Sequence, residues 1–284
     1  MGGTAGIASV LGYSRQALYK RKPCRASRES APKALTRQLV DSERSLLPRV
    51  GTRKLHYLIG DQLKKEGVKC GRDKLMRWLR EDGLLILPRR RYIQTTNSKH
   101  HFRKYENLAK DLTPSAPEQL WVSDITYIRS QEGWMYLSLI TDAFSRKIVG
   151  YSIADNMEAA TIAEALKMAL NGRLDKTSCP LHHSDRGIQY CSKEYTELAI
   201  ENGLKLSMTQ NGDPYENALA ERMNRTLKEE FGLGKMLPDK QTAIPLTKQA
   251  VALYNNRRPH LSLNMKTPEQ VHKKSRLPEA TGTI

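Results

Sequence analysis

Three carboxylates in this 284-residue sequence have neighbours and spacing that suit metal-dependent phosphoryl chemistry: Asp124 in QLWVSDITYIRS, Asp185 in CPLHHSDRGIQY and Glu221 in NGDPYENALAERMNRTLKEEF. Cleaving or joining a phosphodiester needs an activated oxygen nucleophile, a stabilised leaving oxygen and neutralised phosphate charge. Two hard cations about 3.5–4 Å apart can supply all three. Magnesium seeks oxygen donors and keeps waters, so Asp and Glu from separate elements, completed by substrate phosphate, make a suitable cage. Without metal, mutual repulsion would raise at least one of their pKa values. Two of these acids, taken alone, have plainer readings. Asp124 could be a satisfied structural group, and Glu221 could pair with Arg225 at i,i+4 on a solvated face.

Bringing the acids together requires a sheet. Residues 119–130, 134–141 and 147–153 are rich in β-branched and aromatic side chains and predict three antiparallel strands. Asn156 is expected to cap a helix carrying Ile162, Leu166 and Leu170 and ending at Gly172. A short strand runs from Cys179 into Asp185, Ser192 caps a helix closed by Gly203, and residues 204–208 make the last strand. After Asn211-Gly212-Asp213-Pro214, a long helix is expected from about Tyr215 to Phe231. At about 100° per residue, Asn217, Glu221, Asn224, Arg225 and Lys228 share a polar stripe, while Leu219, Met223, Leu227 and Phe231 gather on another side. The fold class is therefore α/β, a mixed five-stranded sheet with flanking helices of the ribonuclease-H kind.

Charge divides the chain. Lys+Arg number 47 against 30 Asp+Glu, a formal net charge of +17 that points to a polyanionic partner. Residues 1–115 carry a net +16 and residues 116–284 only +1. Such asymmetry is the footprint of nucleic-acid binding more often than of a merely solvated surface. No apolar run of about 18 residues occurs, so a membrane span is excluded and a cytoplasmic location expected. Cys24, Cys70, Cys179 and Cys191 form no CxxC pair, and Cys179, His182, His183 and Cys191 match no common zinc spacing.

The basic front is read as helical. IASVLGYSRQALYK, within residues 1–28, has the cadence of a partial helix-turn-helix or of a plain helical hairpin. Residues 29–88 give a fuller unit. One helix covers 35–47 and stops at Pro48, a second is capped by Thr52 and closed by Gly67, and a third opens at Gly71 and ends at Gly83. This phasing is expected to bury Leu55, Leu58, Leu75, Met76 and Trp78 and turn Arg53, Lys54, Arg72, Lys74 and Arg77 outward, as a helix entering a DNA groove needs. Residues 84–88 read as a short strand. Arg89, Arg90 and Arg91 begin a basic linker, 89–115, suited to phosphate contacts. The core follows over 116–256 and a tail over 257–284.

Together the three acid motifs resemble those of DDE transposases with a retroviral-integrase-like core, including the 35 residues between Asp185 and Glu221. TDAFSRKIVGYS and the tail YNNRRPHLSLNMKTPEQV are similar to further segments of that group. PRVGTRKLHYLI followed by KCGRDKLMRWLREDGL resembles the helix-turn-helix segment of bacterial insertion-sequence transposases of the IS-three type, in their larger, second-reading-frame product. The resemblance implies binding of double-stranded DNA at terminal inverted repeats, cleavage of one strand and its transfer to target DNA. It also implies two Mg2+ ions, with Mn2+ as a substitute, held by Asp124, Asp185 and Glu221. Arg225 and Lys228 match positions that contact DNA ends in related integrases.

A homo-oligomer on DNA is implied, and so is an upstream-frame partner or fusion, because this chain has no sustained heptads. His183, Asn217, Tyr215 and Gln189 lie beside the acids, as either positioning groups or structural ones. Asp142 is either part of the resembling motif or a turn hydrogen bonder. Arg258, Pro259 and His260 are read as fastening the last helix to the sheet. The competing functions are a catalytically inactive DNA-binding regulator of transposition and a ribonuclease of the same fold. The basic helical module disfavours the second, because it expects duplex DNA grooves.

Overall fold

A computed structural model of the chain describes residues 25–86, 103–210 and 217–274. The segments at 1–24, with the partial helix-turn-helix, and at 87–102, with Arg89, Arg90 and Arg91, lie outside the described residues, as does Tyr215. The chain divides into a helical unit, formed by residues up to Ser45 and Leu55–Leu85, and a larger unit holding Leu46–Lys54 and everything from Ile86 on.

The helical unit is built on α1 (Arg25–Leu46), α2 (Thr52–Lys65) and α3 (Arg72–Glu81). α1 starts about ten residues earlier than expected and contains Pro32, whose carbonyl accepts the Thr36 hydroxyl at 2.7 Å. Leu55, Ile59, Leu63, Leu75, Trp78 and Leu79 are buried, which confirms the helical phase. Met76 and Leu58 are corrections: Met76 is 41% exposed, because Leu75, Trp78 and Leu79 already fill the inward stripe, and Leu58 is only half-buried, at the edge of the stripe made by Leu55, Ile59 and Leu63. Gly67 and Gly83 close their helices with φ of 69° and 67°, where a side chain would be strained. Residues 84–86 are not a strand. Leu84 instead ends α3, its N–H bonding to Leu79 O and its carbonyl accepting Arg44 Nη1 at 2.8 Å.

The larger unit holds β1 (Leu120–Ser130), β2 (Gly133–Asp142), β3 (Ile148–Ala154), α4 (Ala159–Asn171), β4 (Leu181–Ser184), α5 (Lys193–Glu201), β5 (Lys205–Met208), α6 (Ala218–Glu230), α7 (Lys240–Arg257) and α8 (Pro268–Lys274). The five strands form one sheet in the order β3-β2-β1-β4-β5. β1–β2 and β2–β3 are antiparallel, and β1–β4 and β4–β5 are parallel. This is the mixed ribonuclease-H-like sheet expected, with β1 at its centre.

Alternation along the strands feeds two cores. Trp121 and Ile140 pack with Ile162, Leu166 and Leu170 of α4 and Tyr195 of α5. Ile128, Met135, Leu137 and Leu139 pack with Met223 and Leu227 of α6 and Val251 and Tyr254 of α7. Gly150 on β3 is required by this packing, since a Cβ there would lie 2.1 Å from the Ala165 carbonyl of α4.

Local signals are only partly as read. Ser192 caps α5 through the Tyr195 N–H as expected. Asn156 stands outside the cap of α4, which is Glu158, and accepts the Thr161 hydroxyl at 2.7 Å. The far end of the assigned linker is not free: Tyr105 packs on the first core, and Leu108 N–H donates to Ser207 Oγ at 2.9 Å.

α8 returns the chain to the sheet. Its buried His272 lies 2.9 Å from Ser145 Oγ through Nδ1. Ser145 donates through both N–H and hydroxyl to Asp142, which also accepts the Glu118 N–H. This settles Asp142 as a buried hydrogen bonder at the strand end. Arg258 clamps Glu230 at 2.7 Å and 2.5 Å, so this residue fastens the end of α7 to α6 and not to the sheet as expected. Among the described residues no helix is long and apolar enough to cross a membrane.

Candidate active site

Asp124 stands in the middle of the central strand, paired with Leu139 of β2. It is 8% exposed. Its Oδ1 accepts the Ile125 N–H at 2.9 Å and its Oδ2 accepts Asn224 Nδ2, from α6, at 2.8 Å. Burial, and then the charge of Asp185, push its pKa up to about 7, while the two hydrogen bonds pull the other way.

Asp185 follows directly on β4. Val122 of β1 pairs in parallel with His183 of β4, the last pair of that ladder, and Asp124 and Asp185 each follow two residues later on their own chain segment. Adjacent strands lie about 4.8 Å apart. The Gly187 N–H donates to Asp185 Oδ1 at 2.9 Å. A Cβ on Gly187 would come within 3.0 Å of that oxygen and 3.1 Å of Gln189 Oε1, so a side chain there would push on the Asp185 carboxylate.

Glu221 lies in the first turn of α6, the helix that packs against β1, and is exposed. Burial raises its pKa, Arg225 opposes this, and the charge of Asp185 adds to the rise. Lys228 is half-buried; burial lowers its pKa and the charge of Asp124 opposes the fall. All three acids therefore act on one another through a single electrostatic field, with two cations of α6 beside them. Among the described residues no three His, Cys, Asp or Glu side chains are drawn close enough to grip a metal ion between them. The donor set still fits a hard divalent cation, because it is all oxygen and its mutual repulsion is the strain such a cation relieves.

The polar stripe of α6 proves to be two surfaces. Glu221 and Arg225 are exposed, whereas Asn217 and Asn224 are buried against β1. Asn217 Nδ2 donates to Ser123 O at 2.9 Å, and Asn224 holds Asp124, so two amides on either side of Glu221 tie α6 to the acid-bearing strand. Asn224 is the site residue that sequence reasoning missed. Its only signal was its phase beside Glu221.

His183 is buried and bonded through Nδ1 to Ser207 Oγ at 2.9 Å. His182 Nε2 meets Ser123 Oγ and Tyr195 Oη, and burial lowers its pKa to about 3. Cys179 is exposed and Cys191 is buried with its Sγ 3.6 Å from Met208 Sδ, so this quartet serves separate structural purposes.

Of the basic residues expected to face outward on α2 and α3, Arg53 and Arg72 are exposed, and Arg72 pairs with Asp73 at 2.8 Å. Lys54, Lys74 and Arg77 are half-buried instead of fully outward. Lys74 lies over the Trp78 ring at 4.6 Å and Arg77 is 3.7 Å from Glu81, because long basic side chains lay their stems on apolar neighbours.

An integrase core domain family model matches residues 114–214, and a second one, also described as an integrase core domain, matches residues 202–268. Transposase InsF for insertion sequence IS3A, from Escherichia coli K12, is 35% identical over 171 residues, 60% of this chain and 59% of that one. The insertion element IS600 31 kDa protein of Shigella sonnei is 32% identical over 273 residues, 94% of this chain and 98% of that protein. The chain belongs to the IS3-type insertion-sequence transposases. Within this IS3-type chain the integrase-core matches span all three acid motifs and the start of the tail. A solved catalytic core domain of HTLV-2 integrase, in complex with magnesium, aligns at 21% identity with a TM-score of 0.46, covering 56% of this chain and 99% of that one.

Proposed function

We propose that this IS3-type chain is a DNA transposase that binds the terminal inverted repeats of an insertion sequence, cuts one strand to expose a 3′ hydroxyl and joins it to target DNA. The observation that carries this reading is the common field of Asp124, Asp185 and Glu221, three carboxylates delivered by a central strand, the end of its parallel neighbour and a crossing helix. Bound divalent ions, Mg2+ with Mn2+ as a substitute and two per site, would activate the nucleophilic oxygen and steady the leaving one. Asp124 and Asp185 would hold both, with Asp124 the bridge, and Glu221 would complete the second.

The chain's own groups set the rest. Asn224 and the Ile125 N–H fix the orientation of Asp124, the Gly187 N–H fixes Asp185, and Arg225 and Lys228 draw the phosphates of the DNA end onto α6. Arg53, Lys54, Arg72, Lys74, Arg77 and the Arg89-Arg90-Arg91 run supply duplex contacts outside the core. The active assembly is a homo-oligomer on DNA, joined by an upstream-frame product as partner or fusion.

The test uses duplexes copied from the inverted repeats that flank the coding sequence. Asp124→Asn, Asp185→Asn and Glu221→Gln should each reduce Mg2+-dependent nicking by at least about 100-fold, in line with about 10²–10³-fold for loss of one charge-stabilising group. Each variant should still retain the duplexes. Nicking that persists in any of the three defeats the assignment, and wild-type binding without nicking under Mg2+ or Mn2+ favours a regulator.

A further inference from the structure

A cavity of about 470 Å3, within the size range of ligand sites, is lined by residues of β1, of β4 and of the start of α6, the elements that carry or lead into the three acids. Its wall includes the neighbour of each acid along its own element. Val122 lies two residues before Asp124 on the same strand face, His183 two before Asp185, and Asn217 one helical turn before Glu221. Val122 and His183 are also cross-strand partners. Along the backbone, one pleat repeat, about 6.6 Å, or one helical turn, about 5.4 Å, thus separates these lining residues from the positions of the acids.

The lining has three chemical characters. Val122, Phe144 and Leu219 give apolar walls. Asn217 is 5% exposed, and with Nδ2 committed to Ser123 O its Oδ1 has no hydrogen-bond partner. Such an orphaned buried acceptor favours a ligand N–H. Arg146 supplies a cation. It makes no salt bridge among the described residues and is held left-handed at φ 64° by Tyr254 Oη on its carbonyl and by its own N–H on Asp142 O. A strained non-glycine residue kept in place at a pocket wall is a mark of function.

We infer that this cavity receives one unpaired nucleotide of the DNA next to the phosphate being cut, a reading that rests on the carboxylate site acting on DNA. The base lies against Val122, Phe144 and Leu219 and presents an N–H to Asn217 Oδ1, while Arg146 takes the adjoining phosphate. Extracting a nucleotide beside the acids fixes the register of the strand, as base-extracting enzymes do when they seat a nucleotide in a pocket.

The experiment places 2-aminopurine, which brightens when unstacked, at each of the first six positions of flanking-repeat duplexes in turn and adds the full-length protein. Fluorescence should rise at least threefold at one position alone. Ala143→Leu, which fills the cavity, and Ser262→Trp, which obstructs it from an exposed position, should each abolish the rise while retention of the duplex stays within threefold of wild type. Should Ala143→Leu fail to give a cooperative melt, Ser262→Trp decides. A flat response at every position in a wild type that nicks, or a rise that survives Ser262→Trp, overturns the nucleotide site and leaves the carboxylate reading intact. A wild type that neither nicks nor retains the duplexes overturns both.

Discussion

The carboxamide of Asn224 donates to Asp124 Oδ2 across 2.8 Å, so the helix that carries Glu221 also holds the buried acid of the central strand. The donor stabilises the charged form of Asp124 against the burial that pushes its pKa to about 7. Asn224→Ala should therefore raise that pKa further, by about one unit for a lost hydrogen bond to a charged group. The acid limb of the nicking–pH profile should move to higher pH by a similar amount. Asn224→Asp, which adds a second buried carboxylate, should move it further. A uniform loss of activity at all pH values would mean that Asn224 serves packing alone.

A second prediction concerns stability without metal. The pKa of Asp124 is about 7 in the fold against an ordinary 3.8, so the folded state binds the extra proton between those values. The contribution of this group to stability is then lost progressively as pH rises from about 4 through 7, and it levels off above that. Asp124→Asn removes the buried charge and should raise the melting temperature at pH 8, with a gain of up to about 4 kcal/mol. At pH 4 the gain should vanish. Parallel urea titrations of the two proteins at both pH values read the difference directly.

Charge removal on α6 should weaken DNA-end binding through phosphate contacts. Arg225→Ala and Lys228→Ala should each flatten the plot of log affinity against log salt by about 0.9. They should do so equally for repeat and unrelated duplexes, since a phosphate contact carries no sequence information. An unchanged slope places these cations away from the DNA.

Gly150→Ala should destabilise the core by at least about 2 kcal/mol, because its Cβ would sit 2.1 Å from the Ala165 carbonyl and β3 and α4 would have to separate. Thermal melting in the presence and absence of Mg2+ should show the same loss, since the clash is remote from the acids.

Much of the core was legible because its signals are local. β-branched residues around Asp124 announced β1, Ser192 announced its helix, and Gly67, Gly83 and Gly203 marked turns that only positive φ can make. What escaped depends on distant partners. Asn224 looks like a solvated helix residue until β1 is placed beneath it, because helical phase gives an angle and not the identity of the facing surface. Asn156 looks like a cap, yet the cap falls at Glu158. Glu118, unremarked in the sequence, is buried at φ 62° and accepts the N–H groups of Leu174 and Asp175. That role depends on a loop more than fifty residues away.

The contact between His272 and Ser145 has a consequence for the life of the gene. A copy interrupted between codons 232 and 272 encodes a chain whose Asp142 and Ser145 lose the cover of His272 although every acid motif is intact. Such a product is expected to be cleared by proteolysis before it competes for DNA ends. Frayed copies would then tend to fall silent in place of poisoning the intact subunits around them.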